Sequence, residues 1–321
     1  MNSVTDRLLR HATATAVLLA AMAVPPMTAL GQQGPSATSD ASAAKPASPA
    51  AAVPRMPAAP KFRELPFEGE KPSAKDVLSR HVDAIGGAAA WDAKKSMTST
   101  GAIEIPSVQI KGTIKMAAMA PDRVVVESEL PGVGKTAQGF DGVVGWSIDP
   151  MRGPALMDPD QIAQIKRDGN FRKDLSLAQD PGNSEVVGLF DFEGTPCWQV
   201  KVDGVGGGQA SQFYAHDTGL LRGMSMSAAT PMGELPIVMV MDEYREFGDV
   251  KMSARSTTKV MGQTQLMTID SVTWNAASEA DFALPAQIKA LVSASSAGPA
   301  ANSPAGASPP ASSPPASGGS K

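Results

Sequence analysis

The 321-residue sequence predicts an α+β domain in which one strongly curved antiparallel sheet, or a barrel, carries helices over its inner face. Three observations lead there. A long succession of short segments alternates apolar and polar residues with a period of two, the mark of half-buried strands. Turn signals such as Asp141-Gly142, Glu193-Gly194, Asp217-Thr218-Gly219 and Pro231-Met232-Gly233 separate them. Two helical stretches interrupt the pattern, and the dry face of the sheet is the surface available for them to cover.

The first element is a helix with both ends written in. Ser73 and Asp76 make a capping-box pattern, Leu78, Val82 and Ile85 fall on one face, and Gly86-Gly87 ends the run. Residues 88–93, with Trp91, add a further turn. From Met97 the period becomes twofold. In 108–116, Val108, Ile110, Gly112, Ile114 and Met116 alternate with Gln109, Lys111, Thr113 and Lys115, the clearest strand in the chain. Similar runs recur at 123–130, 143–148, 185–192, 197–202, 211–214, 220–227, 235–244, 251–260 and 264–274. In the middle, Asp158 reads as an N-cap, Pro159 as the first helical residue and Gln161 as its capping partner. Ile162, Ile165, Phe171, Leu175 and Leu177 supply that segment's apolar side as far as Pro181, with a break at Gly169.

The ends of the chain differ from this domain. Arg7 and Arg10 precede an apolar run at 12–24, which Pro25 and Pro26 stop. Crossing a bilayer as a helix takes about 20 residues, so residues 1–31 read as a cleavable export signal with small residues at Ala29 and Gly31. No permanent membrane anchor is expected, and the address is the periplasm or cell envelope. Residues 32–61 are rich in Ala, Pro and Ser, and residues 293–321 in Ala, Ser, Pro and Gly. Both are expected to be a disordered linker and tail, because neither can bury enough apolar surface to offset its ordering entropy. One domain remains, residues 62–292, within the size of a single core.

Composition excludes several classes of function. The formal net charge is -4, from 28 basic and 32 acidic residues, and no basic stripe suits nucleic acid. Cys197, the one cysteine, reads as a small half-buried hydrophobe with no base beside it. His81 and His216 are isolated, and no Cys, His or carboxylate spacing completes a metal site. Gly132–Thr136 reads GVGKT, but Glu129 stands where a phosphate-binding loop needs a small residue, and strand and turn follow instead of a helix. Asp242 and Glu243 point to opposite sides of a strand, which leaves no carboxylate pair. No enzyme activity and no cofactor are expected.

Methionine is the informative residue, with 17 in the chain against 9 Phe and 2 Tyr. Met224 and Met226 share a strand face, as do Met239 and Met241 with Leu235 and Ile237. By alternation, Ile110, Ile114, Met116, Val124, Val126 and Trp146 join those four methionines as candidates lining an apolar cavity. Methionine adapts to variable apolar partners, and an acyl chain suits such a lining. A methionine-rich core with no cavity fits the same pattern.

The order of these elements resembles a known family. Helix DVLSRHVDAIGG, strands MTSTGAIEI and VQIKGTIKM, the string GFDG followed by Trp146, helix DPDQIAQIKRD, and the later FYAHDTGLLRGM and MDEYREFGDVKM look like the LolA-like, outer-membrane lipoprotein-sorting domains. The resemblance covers most of residues 76–285. It implies an unclosed antiparallel barrel lidded by helices that holds lipid or acyl chains in its hollow. The expected function is therefore that of an exported, monomeric carrier of lipid or lipidated protein, with a non-catalytic structural or protein-interaction module as the alternative.

Overall fold

The computed structural model describes residues 60–203, 209–230 and 233–296. The expected export signal, nearly all of the linker, most of the tail and the Pro231-Met232 turn lie outside the described residues.

Among the described residues, fourteen strands form one sheet, and every pairing in it is antiparallel. In chain order they are β1 (Arg63–Leu65), β2 (Ser96–Ile105), β3 (Ile110–Met119), β4 (Arg123–Leu130), β5 (Gly134–Phe140), β6 (Gly145–Asp149), β7 (Gly153–Leu156), β8 (Glu185–Phe192), β9 (Thr195–Asp203), β10 (Gln209–Ala215), β11 (Leu221–Thr230), β12 (Gly233–Phe247), β13 (Val250–Val260) and β14 (Gln263–Trp274). The spatial order is β1-β8-β9-β10-β11-β12-β13-β14-β2-β3-β4-β5-β6-β7, so β1 and β7 stand at the two ends and the barrel is unclosed. Among the described residues, five helices accompany the sheet: α1 (Ala74–Ala84), α2 (Ala88–Asp92), α3 (Pro159–Gly169), α4 (Lys173–Gln179) and α5 (Ala286–Ser296).

Local sequence explains the helix boundaries. Ser73 and Asp76 exchange both bonds of a capping box at the start of α1, as Asp158 and Gln161 do at the start of α3. Each box satisfies main-chain N–H groups that the first turn leaves without an internal partner. Gly86 ends the first helix with φ +118°, where an added Cβ would stand 2.7 Å from the Asp249 carbonyl oxygen. Only glycine lets Ile85 come close enough to accept a hydrogen bond from Lys251 N at 2.9 Å.

The sheet curls around the helices. Neighbouring strands lie about 4.8 Å apart, so six spacings would put β8 and β14 roughly 29 Å apart in a flat sheet. Yet Val186 of β8 and Trp274 of β14 contribute to one apolar cluster around Val77, Leu78, Val82 and Ile85 of α1. A helix about 10 Å across bridges that width only if the strands wrap toward it. Trp91 of α2 meets the Trp274 ring edge-on at 5.6 Å, and Phe171 approaches the same ring at 5.9 Å.

Several sequence expectations shift. Val108 is 48% exposed and sits in a 3-10 turn, and Gln109 takes a left-handed φ of 53°, so the strand begins at Ile110. Strands β1 and β7 are too short to show a period. Helix α5 runs past residue 292, where the tail was expected to begin, and buries Ile288 completely.

Candidate functional site

Register assigns the faces, because residues paired across neighbouring strands project to the same side. Met224 of β11 pairs with Met239 of β12, and Met241 pairs with Ser256, Ser256 with Met267, Met267 with Ile103 and Ile103 with Gly112. On β3 and β4, Ile114 pairs with Ser128 and Met116 with Val126. Nine of the ten sequence candidates therefore share one face: Ile110, Ile114, Met116, Val124, Val126, Met224, Met226, Met239 and Met241.

That face is covered at both ends. On one side α1, α2 and α4 fill it with Leu78, Trp91 and Leu175, packed against Trp198, Val200 and Tyr214. On the other, Ile162 and Ile165 of α3 pack on Val124 and Phe140, with Met116 and Val126 beside them. Under each set of helices apolar side chains of helix and sheet pack against one another. Val124, 1% exposed, is a core residue beneath α3 and not the wall of a hollow. Between the two covered ends, Met239, Met267, Ile269, Ile110 and Ile114 remain half-buried, while Met224, Met226 and Met241 pack against the edge of the cluster beneath α1.

Trp146 is the exception among the ten. It pairs with Gly139, whose added Cβ would touch the Trp146 ring at 3.0 Å and Val125 at 2.9 Å, while the neighbouring Gly145 faces Ile162 of α3. The indole therefore lies on the opposite side of the sheet, 1% exposed, with no hydrogen-bond partner for its Nε1. Strand β6 begins at Gly145, two residues later than the alternation suggested, and nothing in so short a run tells which side is dry.

The two sides of the sheet differ in charge. On the helix-bearing side no Asp, Glu, Lys or Arg occurs at residues 235–241 of β12, 254–260 of β13 or 265–269 of β14, nor anywhere on β2, β3 or β4. The other side carries cross-strand pairs of opposite sign: Glu104 with Lys111, Lys115 with Glu127, and Glu129 with Lys135. Lys251, Arg255 and Lys259 of β13 project there too, alternating with Met252, Ala254, Ser256, Thr258 and Val260. The sequence carries this signal as charged against neutral residues and not as polar against apolar ones. For that reason Ser256, Thr258, Gln265, Met267 and Ile269 were not among the sequence candidates.

Elsewhere the polar groups are structural. His81, 2% exposed, points Nδ1 at the Gly219 carbonyl 3.0 Å away, and a carbonyl only accepts, so Nδ1 carries a proton. Its Nε2 lies 3.8 Å from Asp174 of α4, which ties the two lid helices together. Burial pushes the Asp174 carboxyl up, but the His81 ring, aided by Lys173, outweighs it and leaves the group below its usual range. Tyr214 and Tyr244 are both pushed up by burial; their hydroxyls donate to Gln212 Oε1 and Leu221 O, each at 2.7 Å. Cys197 is fully buried, not half-buried, among Phe192 and Phe213, and burial pushes its thiol up to about 12. Asp242 pairs with Arg222, while Glu243 pairs with Arg245 and Arg255. The described residues contain no group of three His, Cys, Asp or Glu placed to hold a metal, and no helix long and apolar enough to cross a membrane.

Two surface depressions flank the start of α1. One of about 660 Å³ is lined by Glu70, Lys71, Ser73, Asp76 and Glu185, and one of about 220 Å³ by Val77, Arg80, Trp198 and Tyr214. None of the ten candidates touches either. The half-buried stripe of the sheet, here called the trough, lies apart from both.

Solved structures resemble this chain in fold. A LolA superfamily protein from Nitrosomonas europaea aligns with a TM-score of 0.48 at 10% identity, over 67% of this chain and 99% of its own. A DUF1329 family protein from Desulfovibrio piger gives 0.47 at 12% identity, over 65% and 95%. A putative outer membrane lipoprotein-sorting protein domain from Vibrio parahaemolyticus gives 0.43 at 10%, again over 65% and 95%. No family model and no curated protein matches the chain. All three scores lie below 0.5, and the architecture stands on the chain's own strand order and one-sided helices.

Proposed function

We propose that the chain is an exported binding protein of the cell envelope that lays an acyl chain along the neutral trough of its sheet. One observation carries this reading: between two packed helical covers, the same sheet face continues half-buried, methionine-rich and free of charge. A surface meant only for water would carry charges, as the opposite side does. A surface meant only for the core would be covered, as both ends are. Each methylene transferred from water adds about 0.8 kcal/mol, so a chain of ten gives useful affinity even on a shallow wall. Methionine, unbranched and polarizable, fits chains of differing length and bend.

The packed apolar clusters beneath α1, α3 and α4 favour a second reading, a non-catalytic interaction module that offers the trough to another protein. Native mass spectrometry and solvent extraction of the mature protein, purified from an envelope fraction, separate the two. A co-purifying lipid supports the carrier. Protein that arrives clean and also rejects an uncharged fluorescent acyl probe leaves only the module.

A further inference from the structure

The trough is neutral but not uniformly apolar. Thr258 pairs with Gln265, and Ser256 lies two residues away on the same side of β13. Met239 and Met241 flank the trio on β12, opposite Thr258 and Ser256, and Met267 flanks it on β14. All three polar side chains are half-buried, and none hydrogen-bonds to another described residue. By contrast, the Ser128 and Thr136 hydroxyls further along the trough satisfy each other at 2.7 Å.

The nearest charges turn away. Arg255 pairs with Asp242 across the strands, and Lys259 pairs with Val238, which packs beside Phe192 and Phe213 on the opposite side. Lys259 also bridges Glu193 there at 2.8 Å. A carboxylate, phosphate or ammonium drawn into the trough would lose water and find no counter-ion. An ester, amide or hydroxyl would find unpaired donors and acceptors of its own kind.

We propose that the trough selects acyl amphiphiles whose polar part is uncharged, with Ser256, Thr258 and Gln265 receiving that part and the methionine stripe receiving the chain. This rests on the acyl-binding reading above and adds charge discrimination to it.

The test is displacement of N-phenyl-1-naphthylamine, an uncharged probe, from the full mature chain at pH 8 by three twelve-carbon competitors. Monododecanoylglycerol displaces it at concentrations about tenfold or more below those needed for dodecanoate or dodecyltrimethylammonium, the scale set by desolvating an unpaired charge. Combining Thr258→Val with Gln265→Leu weakens the glyceride about tenfold relative to the probe, the loss of two hydrogen bonds, while a parent-like urea-unfolding midpoint reports that the variant is folded. Equal displacement by all three competitors overturns the discrimination while acyl binding stands. A variant that loses probe and glyceride alike overturns the assignment of the polar trio. A protein that binds neither probe nor competitor removes the acyl-binding reading as well.

Discussion

Beneath α1 and α4 the sheet's inner face is closed, whereas along β12–β14 and β2–β3 the same face lies half open. Both regions are built from alternating strands. They differ in what covers them. Under the lid, Leu78 is 1% exposed and Val200 0%, and the two helices are joined by the His81–Asp174 pair. In the trough, methionines and isoleucines stay half-buried beside unpaired hydroxyls and an amide. The closed region holds the fold; the open one is the surface the proposed ligand would use.

The largest test of this division strikes the closed region. Leu78→Ala removes buried methyl groups that α4 and the sheet cannot refill, and should cost about 2–5 kcal/mol in urea unfolding, whereas Met239→Ala, half-buried in the trough, should cost less than half as much. Comparable costs would erase the contrast.

Charging the open region comes next. Met239→Glu should weaken an uncharged acyl probe about tenfold or more, by bringing an unpaired carboxylate to the ligand, while the unfolding midpoint moves little. A variant that binds as well as the parent would show that the ligand lies elsewhere.

The lid latch is worth less. Because the folded Asp174 carboxyl sits below its ordinary value, its contribution is fully present above the unfolded value near 4 and is lost as pH falls through the folded one. Asp174→Asn should thus be less stable than the parent by about 1 kcal/mol at pH 6, with the gap closing under acid. A gap that persists at pH 2 would assign the loss to packing instead of charge.

The smallest effect belongs to the far side of the sheet. Lys135→Ala breaks the exposed 3.0 Å ion pair with Glu127 and should shift stability by no more than about 1 kcal/mol and acyl binding not at all. Lost binding there would mean that the ligand uses the charged side.

Much of this contrast is legible in the sequence, though unevenly. The capping boxes at Ser73 and Asp158 and the break at Gly169 are local hydrogen-bonding features, and the structure reproduces them. Strand β4 is legible because Val126, Ser128 and Leu130 alternate with Glu127 and Glu129. Trp146 was misplaced because β6 has only five residues, and its side is settled by pairing with β5. Val124 and Ile114 look alike in sequence; only the docking of α3, a long-range event, makes one core and leaves the other in the trough. The polar trio escaped a search for apolar alternation, although Lys251, Arg255 and Lys259 at spacings of four already mark which side of β13 is charged.

The central claim, that the half-open face receives an acyl chain, is tested most directly by methionine-methyl NMR of the mature protein during titration with monododecanoylglycerol. The methyl signals of Met224, Met226, Met239, Met241 and Met267 should shift together and saturate, while those of the exposed Met151 and Met261 stay in place. Saturating shifts confined to Met151 and Met261, or no shift at any methionine, would contradict it.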